Sequence, residues 1–319
     1  MNCHQCNGIV AKDDRYCEEC GANLIPNPSP NDCQKCGADA VEIDIDRYCN
    51  KCGYRQVEIA EDSIELQPTP NLAGASNRGK RHHQNEDSID LQLIDNNTYS
   101  LVVCDGVSSS QNPQLASQAA TTACCQAIAT AINLGKDPKS AIEQGVQNAL
   151  KAVTQIAFDP NLPDEDRSST TIVTAIVQNN IATIAWLGDS RAYWLAETNS
   201  QQLTQDDSWV NEVVTTGQMT LEAAEKSPHA HAIVRWLGAD VTEEEGKPNI
   251  LTFTIPGAGY LLLCSDGLWN YTQNPVDIYH LIQQTDGSSM SISRHLVEYA
   301  NQQGGRDNIT VGVLAIDSF

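Results

Sequence analysis

Four cysteine pairs crowd the first 52 residues, and they constrain this chain more than any other feature. Cys3/Cys6, Cys17/Cys20, Cys33/Cys36 and Cys49/Cys52 are each C-x2-C. Ten residues separate Cys6 from Cys17, and twelve separate Cys36 from Cys49. Arg-Tyr precedes the third cysteine of each half (Arg15-Tyr16, Arg47-Tyr48) and Gly follows the fourth (Gly21, Gly53), so the segment is an internal repeat. Two knuckles of this spacing make a tetrahedral four-sulfur cage suited to Zn²⁺. Units of about thirty residues have too little core to fold alone and use the metal as a staple. The expectation is two structural zinc ions, in ribbons at residues 1–25 and 31–58, with His4 a bystander. No basic-then-apolar leader follows Met1, which gives a cytosolic expectation and favours zinc over disulfides. Cys104, Cys124, Cys125 and Cys264 lack knuckle spacing and read as reduced core thiols.

Charge narrows the partners. The formal net charge is −22, so a nucleic-acid backbone is not an expected partner. The ribbon segment is itself acidic, with six Lys+Arg against ten Asp+Glu through residue 60, and a protein partner suits it better than DNA. No apolar run reaches the ~18 residues of a membrane span, so no membrane is expected. Residues 59–71, with two prolines and several acids, read as a linker.

From residue 72 to 319 the pattern becomes mixed. Ser100–Cys104, Thr171–Val177, Ile181–Leu187, Tyr260–Cys264 and Ile309–Ile316 read as strands. Leu115–Leu134, Pro138–Ala157, Leu221–Lys226 and Ser291–Gln302 read as helices, the second capped by Asp137 with Pro138 in its first turn. Runs of strands followed by paired helices indicate α+β.

Several apolar strands end in acids. Leu101-Val-Val-Cys-Asp105-Gly106 and Leu262-Leu-Cys-Ser-Asp266-Gly267 are the same phrase. Trp186-Leu-Gly-Asp189 is a third case, Asp307-Asn308 opens the last strand, and Asn85-Glu86-Asp87 opens another. One Asp-Gly is an ordinary turn. Several acids brought to one core edge repel unless cations neutralise them, and oxygen ligands select Mg²⁺ or Mn²⁺.

Residues 72–319 resemble the metal-dependent protein phosphatases, the protein phosphatase 2C family. The motifs come in family order: Arg81–Ser88 (RHHQNEDS), Asp105-Gly106, Ser169-Thr170-Thr171, Gly188–Tyr193, Leu203–Asp206, Ser265-Asp266-Gly267 and Asp307–Thr310. The resemblance implies an antiparallel β-sandwich flanked by helices, four layers in the order αββα. It implies hydrolysis of phosphoserine and phosphothreonine in proteins by water activated between two divalent ions. By motif, Asp105 bridges the ions, Asp266 and Asp307 complete one site, and Glu86 with the Gly106 carbonyl serve the other. Asp189 joins Asp266 around a third ion, and Asp87 and Asn308 support the ligands from behind.

The chain also departs from the pattern. Where the family carries a phosphate-gripping Arg stands His82, with Arg81 one residue earlier, so the candidate catalytic residues are Arg81, reaching the phosphate across a shifted backbone, or His82 with His83 taking part of that role. Asp105-Gly106 continues as Val-Ser-Ser-Ser110 rather than Met-Gly-Gly, and no general-acid His follows it. Asp207 stands where a His is usual. No metal ligand is lost, so an active enzyme is expected. The stretch from Asp206 to Ala239 corresponds to the family's variable flap. Two rivals remain: a haloacid-dehalogenase-type phosphatase, which needs a second acid two residues after its nucleophilic Asp and fails at Val107 and Leu268, and a catalytically silent scaffold whose ribbons do the binding.

Overall fold

The computed structural model describes residues 33, 36–42, 49–53, 63–157, 167–230 and 232–317. The chain divides into two compact units, Met1–Ala60 and Glu61–Phe319. Cys3, Cys6, Cys17 and Cys20, and with them the first ribbon, lie outside the described residues.

In the first unit, Cys33, Cys36, Cys49 and Cys52 bring their four sulfurs within 4.8 Å of one another. Sulfurs meet across the knuckles, Cys33 to Cys52 at 3.6 Å and Cys36 to Cys49 at 3.7 Å. Those separations are near the ~3.8 Å edge of a tetrahedron with ~2.3 Å zinc–sulfur bonds, and far from a ~2.05 Å disulfide. The chain leaves each knuckle through a glycine with positive φ, Gly37 at 69° and Gly53 at 67°.

The second unit begins earlier than its sequence suggests. The stretch read as a linker contains β1 (Ser63–Thr69), paired antiparallel with β2 (Leu72–Asn77). Pro68 is tolerated because β1 is the sheet's edge strand and the register shifts between Leu66 and Thr69. Ile64 and Leu66 supply the apolar face that holds it down.

The chain continues through β3 (Asp87–Asp95), β4 (Thr98–Asp105), α1 (Pro113–Asn133) and α2 (Pro138–Thr154). Next come β5 (Ser169–Thr170), β6 (Ile172–Gln178), β7 (Ile181–Leu187), β8 (Arg191–Leu195) and β9 (Gln201–Gln202). The flap carries α3 (Trp209–Thr215), α4 (Leu221–Glu225) and β10 (Leu237–Gly238). The chain closes with β11 (Asn249–Thr254), β12 (Gly259–Cys264), α5 (Asp266–Trp269), α6 (Pro275–Ile282), α7 (Ser289–Gln303) and β13 (Ile309–Ile316).

One sheet runs β1-β2-β13-β12-β8-β9 and the other β11-β7-β6-β4-β3, all antiparallel. Period-two alternation sorts their side chains into layers. Leu101, Val103, Val173, Ile184, Leu261 and Leu263 fill the space between the sheets. Their neighbours Val102, Cys104, Ile172 and Leu187 face α1 and α2. Leu262, Cys264, Val311 and Val313 face the other helices, including Ile278 of α6 and Leu296 of α7. The result is the expected four-layer αββα sandwich, with Cys104, Cys124, Cys125 and Cys264 fully buried. Among the described residues no helix is long and apolar enough to cross a membrane.

Candidate active site

Both sheets deliver their acids to one place. Asp87 opens β3 and Asp105 ends β4, and the two stand directly opposite in the ladder. From the other sheet, Asp266 follows β12 as the first residue of α5, and Asp307 sits just before β13. Asp189 lies in the turn between β7 and β8. Like charges in direct cross-strand register are destabilising, so this arrangement needs a counter-charge.

The electrostatics say the same. Burial, then the charges of Asp87, Asp266, Asp307 and Asp189, push the Asp105 carboxyl well above the usual range. Burial and the charges of Asp189, Asp307 and Asp87 do so for Asp266. Burial raises Asp87 to about 7, against hydrogen bonds that favour its ionised form. Asp189 also rises to about 7, through burial and the nearby Asp206 charge.

The supports are specific. Asp87 Oδ2 accepts from Ser265 Oγ and Thr310 Oγ1, both at 2.7 Å. Asn308 Oδ1 accepts from the Glu86 backbone N–H at 2.7 Å, and its amide nitrogen donates to the carbonyls of Arg78 and Gln84. Glu86 Oε2 accepts from Ser108 Oγ at 2.6 Å, and Gln84 Nε2 donates to Oε1 at 3.4 Å. Glycines let the loops close: a Cβ on Gly106 would sit 2.6 Å from the Pro113 carbonyl and 2.7 Å from that of Glu86. A Cβ on Gly267 would overlap the Asn308 carbonyl.

His82 and Arg81 are placed differently. The His82 ring lies between two carboxylates, Nε2 3.2 Å from Asp307 and Nδ1 3.8 Å from Glu86. Arg81 is exposed, and its guanidinium makes no ion pair or hydrogen bond among the described residues.

Sequence reasoning did not single out Ser108, Gln84 or Trp269. Trp269 Nε1 donates to the Asp189 carbonyl at 2.9 Å, so α5 ties the Asp266 and Asp189 turns together. The Arg191 guanidinium stacks 3.7 Å over the Trp269 ring and forks onto Asp206, with Nη2 2.6 Å from Oδ2. Asp207 accepts from the Gly188 N–H at 3.2 Å and from Asn249, and pairs with Arg235 of the flap. It therefore fastens the flap to the Asp189 turn, a job an Asp performs through charge.

The donor chemistry suits divalent cations, although among the described residues no three of these carboxylates bring oxygens within 4.8 Å of one another as the four cysteine sulfurs do. Asp266 Oδ1 is buried with no hydrogen-bond partner among the described residues. Carboxylates raised by burial and mutual repulsion, with no lysine or arginine bridging them, are the oxygen set that Mg²⁺ or Mn²⁺ takes.

Comparison with known proteins identifies the family and the fold. Residues 73–303 match the sequence model of the Protein phosphatase 2C family. The serine/threonine phosphatase stp of Listeria welshimeri is 31% identical over 240 residues, 74% of this chain and 92% of that protein. Protein phosphatase PhpP of Streptococcus pneumoniae is 28% identical over 240 residues, 75% of this chain and 94% of that one. Among solved structures, serine/threonine phosphatase Stp1 from Staphylococcus aureus covers 80% of this chain and 98% of its own, at 26% identity and a TM-score of 0.64. The catalytic domain of PstP in complex with two manganese ions covers 80% and 100%, at 25% identity and a TM-score of 0.61. The family match and the shared fold agree, and the chain belongs to the protein phosphatase 2C family of serine/threonine phosphatases.

Proposed function

We propose that the chain hydrolyses phosphoserine and phosphothreonine in proteins at a binuclear Mg²⁺ or Mn²⁺ site held by Asp105, Asp266, Asp307, Glu86 and the Gly106 carbonyl. Asp189 joins Asp266 in a third position. The observation that carries this reading is the convergence of acids from both sheets, raised by burial and by one another. PstP, a relative of the same fold, holds two manganese ions. Bound there, two divalent ions supply activation of a water and neutralisation of phosphoryl charge.

The chain's own residues position the reaction. Ser265 and Thr310 orient Asp87, which stands behind Asp105. Asn308 fixes the Glu86 backbone. His82 lies between Glu86 and Asp307. That leaves the Arg81 guanidinium for the phosphate oxygens, two of which it can take at once.

The sulfur cage of Cys33, Cys36, Cys49 and Cys52 holds one structural zinc in this reading, and Cys3, Cys6, Cys17 and Cys20 hold a second. A closed four-sulfur site leaves no position for a substrate, so the ribbons act as a regulatory or protein-binding module. The site of action is the cytoplasm. The test is phosphate release from a phosphothreonine peptide by the full chain. Chelator abolishes it and Mn²⁺ restores it; no release at any Mn²⁺ level contradicts the proposal.

A further inference from the structure

A cavity of about 460 Å³ opens in the flap, lined by Val234, Arg235, Trp236, Asp240, Val241 and Glu245. Its position follows from strand pairing. Leu237 pairs with Thr170 and Gly238 with Ser169, while Thr170 bridges to Gly106. Two strand spacings put β10 about 10 Å from Gly106. Leu237 is buried in the core beneath α1 and α2, so its neighbour Trp236 lies on the opposite, open side.

The cavity has a built floor. A Cβ on Gly238 would come within 2.8 Å of Trp236 Cδ1 and Nε1 and would overlap Asp240 Oδ1. Its absence lets the indole and this carboxylate lie against the strand. Trp236 Nε1 donates to Asp240 Oδ1 at 3.3 Å, which fixes the acid at the edge of the ring.

Charge then selects the occupant. The Arg235 guanidinium is already used, 3.5 Å from Asp207 and bonded to the carbonyls of Glu245 and Lys247. Lys247 is paired with Glu244. Asp240 Oδ2 and Glu245 Oε1 keep no partner among the described residues, and Glu243 is exposed beside them. An indole face flanked by two available carboxylates binds a guanidinium or an ammonium.

We propose that this cavity receives an arginine or lysine side chain of the phosphoprotein substrate, about three residues from the phosphorylated one at ~3.3 Å per extended residue. The proposal rests on the phosphatase reading of the neighbouring site and adds a sequence preference to it.

The test uses the full chain with Mn²⁺ and phosphothreonine peptides carrying Arg, Ala or Glu at single positions within about four residues of the phosphate. p-Nitrophenyl phosphate, which has no flanking residues, is the control. The wild type should favour the best Arg peptide over its Ala counterpart by about tenfold in kcat/KM, and disfavour Glu there. Trp236→Ala and, separately, Asp240→Asn should reduce that preference to within about twofold and leave p-nitrophenyl phosphate turnover unchanged. Asp240→Asn is exposed and isosteric, so it carries the test if Trp236→Ala does not fold. Equal turnover of Arg, Ala and Glu peptides by the wild type overturns the proposal, as does a preference that survives both substitutions. Turnover of no substrate at all overturns the phosphatase reading and the cavity's role with it.

Discussion

Asp105→Asn should make the ion-free protein more stable and the Mn²⁺-loaded protein less so. In the wild type without ions, Asp105 faces Asp87 across the ladder and lies in the fields of Asp266, Asp307 and Asp189. Its carboxyl is held well above the usual range, so keeping it in the fold at neutral pH opposes folding. An uncompensated buried charge costs about 3–5 kcal/mol, so removing this one relieves on the order of a few kcal/mol. Asparagine has nearly the same shape and no charge. For a domain of this size 1 kcal/mol moves Tm by about 2–4 °C, so the ion-free variant should melt at least ~4 °C higher. Mn²⁺ at a hundred times its Kd stabilises the wild type by about 2.7 kcal/mol per ion, and the variant by little. The order of the two melting curves therefore reverses on adding metal. All five tryptophans lie between residues 186 and 269, so a fluorescence melt of the full chain reports this unit alone. A variant with unchanged or lower ion-free Tm and an undiminished Mn²⁺ shift would refute the reasoning.

Three further outcomes are expected. Asp87 and Asp189 are raised to about 7 by burial, so the native state binds more protons than the unfolded chain between about pH 4 and pH 7. Ion-free stability should therefore fall as pH rises through that window and level off above it; a urea midpoint that climbs with pH contradicts the site's electrostatics. Elemental analysis should find about two zinc ions per chain, and Cys33→Ser should lose one while phosphatase activity persists; zinc-free protein purified without chelator would exclude the ribbons. Arg81→Ala should raise KM strongly and leave Mn²⁺ affinity in place, whereas His82→Ala should weaken Mn²⁺ binding through Glu86 and Asp307; the reverse pattern would assign the phosphate grip to His82.

Much of this was legible in the sequence because it rests on periodicity. The apolar runs Leu101–Cys104 and Leu262–Cys264 announce both their burial and the acids Asp105 and Asp266 that follow, and the sandwich then brings those ends together. The cysteine cage was legible because knuckle spacing is a local constraint. What escaped lacks a period. β1 was hidden by Pro68, whose missing N–H matters little on an edge strand. β10 has two residues and α5 has four, too short for any pattern. Ser108 reaches Glu86 from a loop whose Val-Ser-Ser-Ser run has no signature of its own. Trp269 reaches Asp189 from 80 residues away. The departure at Asp207 became intelligible only when the structure placed Arg235, Asn249 and the Gly188 amide around it.

The central claim is that these strand-end carboxylates hold the ions that drive phosphoester hydrolysis. The most direct test is the rate of phosphate release from a phosphothreonine peptide at saturating Mn²⁺, wild type against Asp105→Asn, with the variant's fold checked by its tryptophan melt. The account predicts a loss of at least ~10²-fold in kcat, the scale of removing a principal electrostatic contribution at a reacting centre. Near-normal turnover by a folded Asp105→Asn would contradict it.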